Sequence, residues 1–223
     1  RAEHHADLCI ELLGIDEIPM EYMVMFGTIK SNTFEFDEAE EFYQRAISHA
    51  EQYNLKGLLA QSYSNFGNLK RKQRQFDNAL YYIGLSDTLC LELGIELGLL
   101  INKVNRAEAF LDQGLAAMAL RELESGTQLL KKMDLTYINM EYYKLKYRIQ
   151  DELGDEVGSN RSFRTYTECK NEFIGDVPRS ILAEWELATE REQRNIEANA
   201  LNLSLEREVK QKYLIGFIMA LFL

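Results

Sequence analysis

The chain has 223 residues, with 25 Lys+Arg against 36 Asp+Glu and a formal net charge of −11. This length suits one or two domains or one elongated repeat array, and the acidic balance argues against nucleic acid as a partner, because duplex binding draws most of its affinity from Lys and Arg neutralising phosphates. With 46% hydrophobic residues, two prolines and 13 glycines, the chain can bury a core and favours long helices over a turn-rich β fold, so the expected class is all-α.

In chain order, Arg1 opens without the charged, apolar and small-residue pattern of a secretory signal, which reads as a mature end or a cut fragment. An internal repeat follows. Shifting the sequence by 40 residues aligns Leu13-Gly14-Ile15 with Tyr53-Asn54-Leu55, Leu93-Gly94-Ile95 and Met133-Asp134-Leu135. The middle residues are the types that tolerate a left-handed conformation, and each is followed by Ile or Leu, which is the pattern of a helix stop. The same shift aligns the small residues Ala39, Ala79, Ala119 and Ser159, and, four positions on, the large residues Tyr43, Ile83, Leu123 and Phe163. Small and large residues at this spacing share one helix face, the small one admitting a neighbouring helix closely. Each period holds an earlier helix as well, expected at 20–33, 59–72, 98–112 and 138–152. The unit is a repeated helical hairpin.

These residues resemble the tetratricopeptide repeat. Phe26-Gly27 with Ala39, Tyr43 and Ala46 match its pattern, as do Tyr63, Phe66-Gly67, Phe76, Ala79 and Ser86. The third unit keeps Ala107, Phe110, Gly114, Ala119 and Gly126 but has Arg106 where an apolar residue is expected. The fourth keeps Tyr143, Leu153-Gly154-Asp155 and Phe163 and departs at Tyr147 and Tyr166. The family's closing Pro is missing and its usual period is stretched, which points to longer helices. The resemblance covers 1–172, with residues 1–14 as the second helix of a partial first unit and four hairpins after it. It implies an α-solenoid whose concave surface is lined mainly by first helices.

After the array, Val177-Pro178 supplies a new helix start, and residues 179–212 contain no Gly or Pro. One helix of about 50 Å is expected over 179–212, within a connector segment 173–212. Its heptad register is interrupted by Asn195 and Asn202, which leaves two readings open: a coiled coil that makes a homodimer, or a helix docked on the last repeat. Residues 213–223 are uncharged and almost wholly apolar, and they begin abruptly after Arg207, Lys210 and Lys212. A span needs about 20 such residues, so this segment reads as the start of a truncated transmembrane helix or as a buried terminal helix. Repeats, connector and apolar end together resemble bacterial membrane signalling proteins, common among Bacteroidetes, in which a periplasmic repeat array precedes one span and a cytoplasmic histidine kinase or helix-turn-helix output domain. That likeness implies a cell-membrane location with the array periplasmic. The alternative is a soluble, cytoplasmic adaptor.

Chemistry is sparse. Cys9, Cys90 and Cys169 lie about two periods apart, too far for a disulfide, and read as buried small residues. His4, His5 and His49 have no metal-ligand spacing, no phosphate loop is present, and nothing calls for a cofactor or for catalysis. The run Lys70-Arg71-Lys72-Gln73-Arg74 reads as a soluble loop, and Asp37-Glu38 and Glu40-Glu41 as solvated faces. What remains is the face of the first helices. Register points Ser64, Asn65, Asn68 and Arg71, then Asn105 and Glu108, then Lys144 and Arg148 toward the groove. Amide side chains that grip a peptide backbone, with Arg or Lys for a carboxylate, suit a peptide or protein ligand.

Overall fold

The computed structural model of the chain describes residues 8, 10, 18–133 and 135–175. The chain divides into two compact units, Arg1–Lys170 and Asn171–Leu223. The connector over 173–212 beyond Gly175, the apolar end 213–223, most of the partial first unit, Cys9, Gly14 and Asp134 lie outside the described residues.

The fold is an all-α repeat solenoid of antiparallel hairpins. After a single 3-10 turn at Met20–Tyr22 come α1 Met23–Asn32, α2 Phe36–Gln52, α3 Lys56–Lys72, α4 Phe76–Leu93, α5 Glu96–Asp112, α6 Ala116–Ser125, α7 Thr127–Met133, α8 Thr136–Glu152 and α9 Glu156–Gly175. The first helices α3, α5 and α8 start two or three residues before the expected positions. The reason is how little chain separates one helix from the next.

Backbone φ is positive at Phe34, Asn54, Arg74, Gly94, Gly114 and Gly154, at +66°, +53°, +61°, +67°, +76° and +72°. The residue after each sends its N–H back to a carbonyl five positions earlier, as in Leu55 to Ala50 at 2.7 Å, Ile95 to Cys90 at 2.8 Å and Asp155 to Gln150 at 2.9 Å. These bonds satisfy carbonyls that a helix end otherwise leaves open. The same residue also opens the next helix, since the carbonyls of Glu35, Leu55, Gln75, Ile95, Leu115 and Asp155 accept the first helical bond from Ala39, Leu59, Ala79, Leu99, Ala119 and Ser159. One residue thus ends one helix and caps its successor. The stops at Asn54 and Gly94 follow the sequence expectation. The stops at Phe34 and Arg74, between first and second helices, were hidden because neither side chain is typical of a left-handed position.

First helices pack on first helices of the neighbouring hairpins, α1 on α3, α3 on α5 and α5 on α8, and α1, α3 and α5 also pack on the second helices of their own hairpins. Second helices do not approach each other to the same extent among the described residues, so the first helices lie on the inside of the bend. One apolar cluster gathers Met23, Phe26, Phe42, Tyr43, Phe66 and Leu69, and another gathers Leu100, Ala107, Leu123, Tyr142, Leu145 and Ile149. Ala39, Ala79 and Ala119 are fully buried beside Tyr43, Ile83 and Leu123, as the small-then-large pattern requires.

The fourth hairpin departs. Phe163 is 48% exposed, and Ser162, not Phe163, is the buried residue of α9. Where the first two units have Gly27 and Gly67 and the third has Ala107, the fourth has Tyr147, whose ring lies 5.3 Å from Phe163 and 5.8 Å from Tyr166. A ring at the small-residue position occupies the space that Phe163 would fill. The second helix of the third unit is also broken, into α6 and α7 at Gly126. There the hydroxyls of Ser125 and Thr127 donate to the carbonyls of Glu122 and Glu124 at 2.6 and 2.7 Å and compete with the helical ladder. Two expectations from composition need correction. Cys90 is buried but Cys169 is only half-buried. The run Lys70 to Arg74 is not a soluble loop: α3 continues through Lys72, Lys70 is buried over the Phe66 ring at 4.8 Å, and its ammonium pairs with Glu40 at 2.7 Å.

Candidate functional site

Two faces carry concentrated chemistry. On the face of the first helices, α3 positions Ser64, Asn65, Asn68 and Arg71, α5 positions Asn105 and Glu108, and α8 positions Lys144 and Arg148. The structure joins five of these eight. Asn105 Nδ2 donates to Ser64 Oγ at 3.2 Å across the two helices. Arg71 Nε donates to Asn68 Oδ1 at 3.0 Å, while its other nitrogens pair with Glu108 Oε2 at 3.0 Å and with Asp112. Asp112 was not foreseen. Its partner lies 41 residues earlier, and only the repeat register, which stacks successive first helices, could have shown it. Asn65 turns back to the carbonyl of Gln61 at 3.0 Å, Lys144 pairs with Glu141 on its own helix at 3.4 Å, and Arg148 is exposed on α8.

Ser64 is buried, and it belongs to a polar network that ties α3, α4 and α5 together. Ser64 Oγ donates to Asn102 Oδ1 at 2.6 Å, and Asn102 Nδ2 donates to Ser86 Oγ at 2.9 Å and Asp87 Oδ1 at 2.8 Å. Ser86 Oγ in turn donates to the Ala60 carbonyl at 2.8 Å. Asn102 is fully buried, and a buried amide is tolerated only because its acceptor and donors all have partners.

The electrostatic consequence is local. Arg71 sits between two carboxylates, so the α3–α5 part of the strip carries a net negative charge, whereas Lys144 and Arg148 make the α8 part more basic. The side chains of the strip's α3–α5 part are held by bonds between the two helices.

The second face is an open groove of about 390 Å³ between α2 and α4, floored by α3. Sequence reading missed it because its residues come from three helices and two periods. Tyr63 and Phe66 form the floor, Tyr81 and Tyr82 one wall, and Glu51 the opposite wall. Tyr63 Oη donates to Glu51 Oε1 at 2.9 Å. The Tyr82 ring lies 4.6 Å from Phe66, 5.9 Å from Tyr63 and 5.3 Å from Tyr81. Burial, reinforced by the Glu51 carboxylate, pushes the Tyr63 phenol up to about 12, and burial pushes Tyr82 up as well. Both phenols are therefore neutral donors over the whole physiological range.

Among the described residues no group of three or more His, Cys, Asp or Glu side chains is placed to hold a metal ion, and no helix is long and apolar enough to cross a membrane. No family model matches the chain, and no curated protein matches it either.

Proposed function

We propose that the chain is a non-catalytic interaction region that binds an extended peptide segment of a partner protein along its first helices, as tetratricopeptide-like arrays do. One observation supports this most: polar side chains of α3 and α5 are locked across the helix boundary by the Asn105–Ser64 and Arg71–Glu108 bonds, so a ligand meets a strip that is already ordered. Pre-ordered contacts reduce the entropy lost on binding. In the same reading the array is the sensor of a membrane-bound two-component-type signalling protein, and the residues after it carry the change in pose to an output domain.

A peptide array probed with the purified chain, followed by titration of the best binders, tests the binding surface. Asn65→Ala and Asn68→Ala together should weaken those binders about tenfold, because both amides are partly accessible and neither supports the core. Unchanged affinity moves binding off this face and defeats the reading. Fractionation of the full-length protein tests the sensor: recovery in the soluble fraction replaces it with a soluble adaptor.

A further inference from the structure

The groove between α2 and α4 has a counterpart one period along the chain, and comparing the two shows what it is shaped to hold. Adding 40 to Ile47, Phe66 and Tyr82 gives Asp87, Arg106 and Glu122. In that counterpart the Arg106 guanidinium is clamped between Asp87 and Glu122, at 2.7 Å from the latter, with its side chain only 19% exposed. The slot between second helices is thus already used for a guanidinium, supplied from within by the first helix. In the α2–α4 slot that first helix presents Phe66, a flat ring, and no Lys or Arg lines the space. Glu51 is the one carboxylate of the groove, and no cation among the described residues pairs with it. The nearby Glu40 is already matched by Lys70, which sits on the Phe66 ring 4.8 Å from its centre.

We propose that this groove receives an arginine side chain of a partner protein, its guanidinium stacked against Tyr81 and Tyr82 and paired with Glu51. Three features converge. The rings present negative π faces to a cation. A carboxylate held by the Tyr63 hydroxyl stands within the same groove and can take two parallel N–H donors. The chain's net charge of −11 attracts a basic segment and repels an acidic one. Arginine fits better than lysine, because the planar, weakly hydrated guanidinium stacks on rings and pairs bidentately, whereas an ammonium must give up a tighter hydration shell. This site is separate from the strip on the first helices.

The test is a nuclear magnetic resonance titration of the purified chain with an unstructured Gly/Ser peptide carrying arginines, with matched lysine and glutamate peptides beside it. The arginine peptide should shift the Tyr81 and Tyr82 ring signals, and Tyr81→Ala and Glu51→Gln should each weaken it about tenfold. Tyr81 is 61% exposed and Glu51 is on the surface, so both variants should keep the wild-type helical circular dichroism. Glu152→Gln, an exposed acid elsewhere, and Asn68→Ala on the other face should leave the affinity unchanged. The proposal is overturned if millimolar arginine peptide leaves the ring signals still, if the groove variants bind as well as wild type, or if the lysine peptide binds as tightly. It is also overturned if the ring signals move with protein concentration alone, which would place a second copy of the chain in the groove.

Discussion

Gly27 lies directly against the ring of Tyr43: a Cβ at Gly27 would stand 2.8 Å from Tyr43 Cε1, closer than carbon atoms pack. At Gly67 the equivalent Cβ would meet Ile83 Cγ1 at 2.8 Å and the Ala79 carbonyl oxygen at 3.0 Å. Both neighbours are fixed, since Tyr43 and Ile83 are buried and the carbonyl is helix backbone. Gly27→Ala and Gly67→Ala should therefore each destabilise the array by about 1–2 kcal/mol, the overpacking cost exceeding the gain in helix propensity. Gly84, mid-helix in α4, has nothing within 4 Å of its Cβ position, so Gly84→Ala should stabilise by about 0.5–1 kcal/mol. Urea unfolding midpoints read both signs, and three shifts of one sign would refute the packing account.

The left-handed turns make a cleaner backbone test. A Cβ at Gly94, Gly114 or Gly154 would touch nothing within 4 Å, so an alanine there feels only its own positive φ. Each Gly→Ala change should lower stability by about 1 kcal/mol, whereas Asn54→Gly should change it by less than about 0.5 kcal/mol, because asparagine already tolerates this conformation. Thermal or urea unfolding showing no loss at any of the three glycines would remove the turn geometry from the list of what holds the helices in register.

The contrast between these turns shows what could be read from the sequence. Asn54 and Gly94 announce themselves by residue type, and the small-then-large pairs Ala39/Tyr43, Ala79/Ile83 and Ala119/Leu123 follow from periodicity alone, so the hairpin array was visible before any coordinates. Phe34 and Arg74 were invisible, because the left-handed conformation is imposed there by the packing of the helices on either side. Site chemistry was less legible still. Register points Ser64 and Arg71 toward the groove, but residue type cannot say that one is buried against Asn102 and the other saturated by Glu108 and Asp112. The aromatic groove needed three helices side by side, and sequence shows only one at a time.

Arg106 stands one period after Phe66, an ionic residue where the second unit has an apolar one. Its guanidinium bridges Asp87 of α4 and Glu122 of α6 with about a fifth of each side chain exposed. Removing it leaves two carboxylates facing each other, only partly relieved by Asn102 at Asp87 and by Lys103 at 3.7 Å from Glu122. Arg106→Met should cost about 2 kcal/mol, less than a fully buried pair because water reaches the site. The triple change Arg106→Phe, Asp87→Ile and Glu122→Tyr imports the α2–α4 slot and should recover most of that loss. A triple variant no more stable than Arg106→Met would show that the two slots are not equivalent.

Alkaline pH should unfold the array through its tyrosines. Burial pushes Tyr43 up to about 12, against a hydrogen bond with Thr28 that acts the other way, and Tyr63 is also raised to about 12. Tyr82, Tyr137 and Tyr142 move in the same direction. The unfolded phenol releases its proton near 10, so the folded chain holds protons that the unfolded chain has lost. Stability from these groups is complete below pH 10 and is lost progressively as pH climbs through about 12, where the folded phenols ionise too. Phenolate absorbance and helical circular dichroism recorded together should change over one interval above pH 10. Tyr43→Phe removes the Thr28 bond and should cost about 1 kcal/mol at neutral pH, yet it should flatten the alkaline limb, so the two stability curves converge as pH rises. Full ionisation of the tyrosines near pH 10 with the helices intact would mean that these rings are not desolvated, and the packing of Tyr43 against Gly27 would have to be abandoned.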